Sequence, residues 1–205
     1  ITSPQRFGSG ASPLVTGTSS DHTHLEQRIA AFEGTPAAIL FSSGYAANVG
    51  VVSALPAAAD MLFSDELNHA SIIDGCRLAK CPRQIYPHCD VDALRHLLKT
   101  SSDRYQHAYI VTDTLFSMDG DLAPLVELAK LARQYRGFLI VDEAHATGVY
   151  GEHGRGLAEA LGVENQIAVR VGTFSKSCGA IGGFAVGSQT LIEYLRNFAR
   201  PYIYS

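Results

Sequence analysis

The chain has 205 residues, 46% of them hydrophobic, and a formal net charge of −4, enough apolar material for one large domain with a sizeable core. The charge is mild and neither sign forms a long run, which argues against nucleic acid or an acidic membrane surface as a partner. No apolar stretch approaches the roughly 20 residues a membrane helix needs, and the opening residues lack the layout of a secretory signal, so a soluble cytoplasmic protein is expected. Cys76, Cys81, Cys89 and Cys178 form no Cys-x-x-Cys pair and read as buried or idle thiols, with no metal site and no disulfide framework.

In chain order, helix and strand signals alternate. Residues 1–20 are rich in Gly, Ser, Thr and Pro and read as an irregular arm. Within it Gly8-Ser-Gly-Ala-Ser-Pro13 has the spacing of a dinucleotide loop, but no strand precedes it and proline stands in place of the last glycine. Thr23-His-Leu-Glu26 supplies a capping box for a helix with Leu25, Ile29 and Phe32 on its buried face, stopped by Gly34. Strands follow at 37–42 and 61–64, helices at 45–55 and 69–78, a brief strand at Ile85 and Tyr86, and a helix from Asp90 to about Lys99. The runs 108–112, 138–141 and 168–172 are apolar throughout, the pattern of strands buried on both faces in a mainly parallel sheet. A helix over 124–135 would cover that sheet with Leu125, Leu128, Ala129, Leu131 and Ala132, and a strand at 183–187 and a helix at 190–198 complete the pattern. The fold expected is α/β, a three-layer α/β/α arrangement, with one domain over 21–205.

Chemistry concentrates where apolar strands end, the place where open α/β sheets put their ligands. Leu139-Ile-Val-Asp-Glu-Ala-His145 ends in Asp142 and His145, and Val171-Gly-Thr-Phe-Ser-Lys176 ends in Thr173 and Lys176. An amine for a Schiff base, a carboxylate for a pyridinium nitrogen, and imidazole and hydroxyl donors are what a pyridoxal-phosphate enzyme needs. Ser42-Ser-Gly-Tyr-Ala-Ala-Asn48 leads a strand through Gly44 into a helix whose free N–H groups suit a phosphate. His69 opens a helix after a strand exit, where its flat ring could cap that helix or stack on a planar cofactor, and Ser117 follows the 108–112 strand as either a turn serine or a donor to the ring oxygen. Each residue also has a plainer reading: a solvated lysine, a helix-capping aspartate, a satisfied core histidine. No Gly-x-Ser-x-Gly elbow, Walker loop or His-Glu-x-x-His helix is present.

Ser43-Gly-Tyr-Ala-Ala-Asn48, Asn68-His-Ala-Ser71, Phe116-Ser-Met-Asp-Gly-Asp121, Val141-Asp-Glu-Ala-His-Ala-Thr-Gly148, Gly154-Arg-Gly156 and Thr173-Phe-Ser-Lys176 occur in the order and spacing of the α-oxoamine synthases. The chain resembles this family of fold-type-I pyridoxal-phosphate transferases, which condense an amino acid with an acyl-CoA, and the resemblance covers essentially all of it. It implies the large, cofactor-binding domain of such an enzyme. By position, Lys176 would bind the cofactor aldehyde and shuttle the substrate α-proton, and Asp142 would pair with the pyridinium. His69 would stack on the ring, Ser117 and His145 would bond its oxygen, and Thr173 with the Gly44 and Tyr45 backbone would hold the phosphate. The resemblance further implies L-alanine and pimeloyl-CoA as substrates, a homodimer with its site at the subunit interface, and a carboxy-terminal small domain beyond residue 205. Tyr45, where relatives often carry Phe, and Ser177-Cys178 are departures that affect pocket shape. An aminotransferase or lyase would keep the lysine and aspartate but ignore acyl-CoA, and a binding module without covalent chemistry would give no visible band with the cofactor.

Overall fold

The computed structural model describes residues 10–204; residues 1–9, the first two residues of the Gly8–Pro13 loop among them, lie outside. One seven-stranded sheet runs through the molecule in the order β1-β7-β6-β5-β4-β2-β3. Its strands are β1 (Ala37–Phe41), β2 (Met61–Asp65), β3 (Arg83–Tyr86), β4 (Ala108–Asp113), β5 (Phe138–Asp142), β6 (Val169–Thr173) and β7 (Gly183–Gly187). Strands β3, β2, β4, β5 and β6 are mutually parallel, while β7 runs antiparallel to both β6 and β1. It follows that β1, β2, β4, β5 and β6 all direct their carboxyl ends to the same edge.

The strands read as apolar runs because both faces are covered. Met61 and Phe63 of β2, Ile110 of β4, and Leu139 and Val141 of β5 pack with Leu94 and Leu98 of α4 (Val91–Ser101) and Leu125, Leu128 and Leu131 of α5 (Leu125–Gln134). The alternate residues Leu62, Val111 and Ile140 turn to the other face. There they meet Val51 and Val52 of α2 (Gly44–Ala54), Ile72 of α3 (Ala70–Leu78), Ile192 and Leu195 of α7 (Gln189–Phe198) and Tyr202 of the short α8 (Arg200–Ile203). The expected three-layer α/β/α sandwich is therefore present, and all five residues expected on the inner side of α5 are buried. The first and last helices are α1 (Ser20–Glu33) and α8, and a four-residue α6 spans Leu157–Ala160. No helix among the described residues is long and apolar enough to cross a membrane.

Two expectations are corrected at α1. Its capping box is formed by Ser19 and His22, not by Thr23 and Glu26, so the helix starts at Ser20 inside the region read as an irregular arm, and Pro13–Gly17 add a helical turn before it. Its inward face carries Glu26, Ala30 and Glu33 with Ile29 half-buried beside them as expected, while Leu25 and Phe32 are 41% and 39% exposed. The reason is pairing at long range: Glu26 accepts bonds from Arg196 at 2.5 Å and from the Leu40 N–H, and Glu33 lies 3.3 Å from Arg170. Buried charges are tolerated only when partnered in this way. Burial still pushes the Glu33 carboxyl up to about 7 despite Arg170. Gly34 ends the helix as expected, in the left-handed region at φ 64°. Of the four free thiols, Cys76 and Cys81 are buried, Cys89 is half-buried and Cys178 is exposed.

Candidate active site

A cleft of about 270 Å³ opens over the carboxyl ends of β5 and β6, between the starts of α2 and α3, and its lining includes Gly44, Tyr45, His69, Asp142, Thr173 and Lys176. Each of these follows or ends a strand, so the common strand direction brings them to one edge of the sheet. Two larger hollows, of about 700 and 670 Å³, border α8, and neither is lined by a carboxylate.

At the start of α2, the Ser43 hydroxyl accepts the Ala46 N–H at 3.0 Å. The Gly44 and Tyr45 N–H groups have no hydrogen-bond partner among the described residues, so the helix presents free donors beside Thr173. A Cβ on Gly44 would stand 3.0 Å from the Thr173 Cβ and 3.2 Å from its Oγ1, so only glycine lets these two walls close together. The Thr173 hydroxyl donates to the Gly182 carbonyl at 2.9 Å and accepts the Ser175 N–H at 3.3 Å. Open N–H groups, two hydroxyls and a glycine at the close approach form a cradle for a phosphate.

Asp142 is fixed from two sides: the Asn48 side-chain amide donates to one oxygen at 2.5 Å and the Ala144 N–H to the other at 2.8 Å. Asn48 also donates to the Ser71 hydroxyl at 2.9 Å, which lies 2.7 Å from His69 Nδ1. His69 caps α3 by accepting the Ser71 N–H at Nδ1, so the capping role and the cleft position coincide. The His69 backbone N–H donates to the Asp113 carboxylate at 2.7 Å. Lys176 lies on the exposed rim, and its positive charge is felt by Asp113 and His145. Burial first, and then the Lys176 ammonium, hold His145 below the ordinary imidazole value, with His69 adding to this and Asp142 opposing it.

Adjacent acids have opposite jobs. Glu143 turns away from the cleft, accepting the Thr114 hydroxyl at 2.7 Å and the Leu157 and Ala158 N–H groups at 3.0 and 2.9 Å, so it caps α6. Gly156 leaves room for it, since a Cβ there would meet a Glu143 oxygen at 2.5 Å.

Six of the eight residues expected at the site, Gly44, Tyr45, His69, Asp142, Thr173 and Lys176, therefore meet at the cleft. His145 is half-buried and within electrostatic range but is not part of the lining, and Ser117 sits in an exposed turn after β4, outside it. Sequence reasoning gave no role to Asn48 or Ser71 and missed Asp113 entirely. The signal for Asp113 was the one that found Asp142: an acid at the end of an apolar run.

Over residues 4–205 the chain matches the family described as aminotransferase class I and II. The chain belongs to that family. It is 51% identical over 205 residues to 8-amino-7-oxononanoate synthase 2 of Bacillus subtilis, covering 99% of this chain and 52% of that protein. It is 50% identical over 207 residues to 8-amino-7-oxononanoate synthase of Geotalea daltonii, covering 100% of this chain and 53% of the relative. Among solved structures, Sphingomonas wittichii serine palmitoyltransferase superposes with a TM-score of 0.92 at 39% identity, over 97% of this chain and 49% of its own. The 8-amino-7-oxononanoate synthase of Francisella tularensis gives 0.76 at 34%, over 97% and 54%. These relatives are α-oxoamine synthases, as the ordered motifs implied, and the chain spans about half the length of those it matches. The family depends on pyridoxal phosphate, and the cleft fits that group: a carboxylate held by two donors faces an anion cradle across the space Lys176 can reach.

Proposed function

We propose that residues 21–205 are the cofactor-binding large domain of a pyridoxal-phosphate acyltransferase that condenses L-alanine with pimeloyl-CoA. The products are 8-amino-7-oxononanoate, CoA and carbon dioxide, a step of biotin biosynthesis. The observation that carries this reading is the convergence of Lys176, Asp142, His69, Thr173 and Gly44 on one cleft. The identity of about half the residues to 8-amino-7-oxononanoate synthases supports the substrate pair.

In this reading the Gly44 and Tyr45 N–H groups bind the phosphate, joined by the Thr173 hydroxyl once it turns from the Gly182 carbonyl, and the α2 dipole favours its charge. Asp142, oriented by Asn48 and Ala144, holds a proton on the ring nitrogen. His69 covers one face of the ring, locked by Ser71 and Asp113. Ser117 and His145 serve the ring oxygen; the lowered pKa of His145 keeps its imidazole neutral, so that it can donate through one nitrogen and accept through the other. When bound, the cofactor supplies the electron sink for charge developing at the substrate α-carbon. The Lys176 amine, tethered beside that carbon, takes its proton and returns one after the carboxyl group leaves. The protein works as a cytoplasmic homodimer in this account, each site completed by the other subunit.

A second reading, condensation of serine with a longer acyl-CoA, is favoured by the higher structural likeness to serine palmitoyltransferase. Competition between alanine and serine in the full-length protein separates the two. With pimeloyl-CoA present, free thiol should be released with alanine and not with serine. Release with serine and palmitoyl-CoA alone would overturn the alanine reading, and no release with any acyl-CoA would overturn the synthase reading.

A further inference from the structure

His88 lies outside the cleft, in the loop between β3 and α4, and its ring touches an acid on each side. Nδ1 is 2.9 Å from an oxygen of Asp65 at the end of β2, and Nε2 is 2.6 Å from Asp121. Asp121 closes the 116–121 turn that carries Ser117, where the Phe116 N–H donates to the Asp121 carbonyl at 3.0 Å and the Gly120 N–H to the Phe116 carbonyl at 2.8 Å. The Phe116 ring meets the His88 ring edge-on, with centroids 4.4 Å apart. The other end of the turn is tied to the cleft, because the Thr114 N–H donates to the Asp142 carbonyl at 2.9 Å.

The protonation state of His88 follows from its partners. The Asp65 carboxylate is already surrounded by donors, accepting the Leu67 N–H at 2.9 Å and the Cys89 N–H at 2.8 Å. Ionised carboxylates only accept, and a neutral imidazole has one N–H, so a ring that bonds both acids must carry a proton on each nitrogen. The remaining neighbours agree: Glu66 accepts the His88 backbone N–H at 2.9 Å, and the Cys89 Sγ stands 3.6 Å from Nε2. Asp65, His88 and Cys89 bring donor atoms within 4.8 Å, a spacing a metal could bridge, yet both ring nitrogens are taken and the Cys89 thiol is pushed up to about 12, first by burial and then by Asp65 and Asp121.

We propose that His88 is a positioning residue, an imidazolium clasp between Asp65 and Asp121 that holds the Ser117 turn in place against the sheet edge and lets it go when the ring loses its proton. The proposal rests on the reading that Ser117 serves the cofactor. Burial works against the charged ring, but the bonds to Asp65 and Asp121 outweigh it and hold the His88 pKa above the ordinary value. A raised histidine contributes its stabilisation below about pH 6.5 and loses it as pH rises through the folded value. The turn is therefore ordered below the ordinary imidazole value and loosens as pH rises through the raised value of His88.

Hydrogen exchange of the Phe116 and Gly120 amides in the full-length protein, expressed as protection factors so that intrinsic pH effects cancel, tests the clasp without using activity. Protection should fall about tenfold as His88 deprotonates, in step with its ring signal in a ¹³C-histidine NMR titration, since charge-assisted bonds are lost. Asp121→Asn, at an exposed position that leaves folding intact, should show the low protection at every pH; His88→Gln should do the same. Protection that ignores the His88 titration, or wild-type protection in Asp121→Asn, overturns the proposal. Failure of the protein to bind pyridoxal phosphate would instead count against the function proposed above and leave the exchange result standing.

Discussion

Asp113 and Asp142 stand directly opposite each other at the carboxyl ends of the neighbouring parallel strands β4 and β5. Both are buried, and they share the cleft's electrostatics unequally. Asp142 has two donors of its own, whereas burial and then the Asp142 charge push the Asp113 carboxyl up to about 7. Asp113 nonetheless has a positioning task, accepting the N–H that fixes His69.

Removing the Asp113 charge should change stability with a definite sign. A carboxyl with a raised folded pKa binds more protons folded than unfolded between its ordinary value, about 4, and about 7, so stability declines as pH rises through that window. Asp113→Asn keeps an oxygen for the His69 N–H and lacks the charge. Relative to wild type it should gain roughly 1 kcal/mol or more between about pH 5 and pH 8, measured by urea unfolding at both. A difference that does not vary with pH would contradict this assignment.

The glycine at the start of α2 can be tested separately from folding. Gly44→Ala needs no unusual backbone, and alanine is the better helix former, which offsets part of the overpacking against Thr173, so the loss of stability should stay within about 2 kcal/mol. The new methyl group would press on Thr173, 3.0 Å from its Cβ, and displace the hydroxyl from the phosphate cradle. Pyridoxal-phosphate affinity should drop about tenfold, the loss of one good hydrogen bond, as followed by fluorescence titration.

The face of α1 gives a contrast in magnitude. Phe32→Ser should cost no more than about 1.5 kcal/mol, since its ring is only partly covered. Arg170→Ala should cost about 3 kcal/mol or more, because it strands buried Glu33 without its partner. Equal costs in urea unfolding would mean that α1 buries its apolar stripe after all.

That contrast also shows what was legible in the sequence and what was not. The rule that apolar strands end in chemistry found Lys176, Asp142, Thr173, Gly44 and His69, since strand direction alone carries them to a common edge. The same rule missed Asp113 because the β4 run was read only as far as Thr112. Periodicity placed the inner side of α5 correctly, since nothing but packing decides it. It misplaced the inner side of α1, where Glu26 and Glu33 are buried by arginines more than 130 residues away in the chain, a pairing no local pattern reveals. Ser117 reads from the sequence as either a turn serine or a ring donor, and the contact of its turn with His88 through Asp121 is one that only three-dimensional structure brings to it.

The most direct test of the account is covalent. The full-length protein, given pyridoxal phosphate in slight excess, should develop a visible absorbance band, and borohydride reduction followed by peptide mapping should find the added mass on Lys176. The band should shift when L-alanine is added, and both band and adduct should be absent in Lys176→Ala. A band of undiminished strength in Lys176→Ala, or an adduct elsewhere with Lys176 unmodified, would contradict the central claim that this amine and Asp142 hold the cofactor between them.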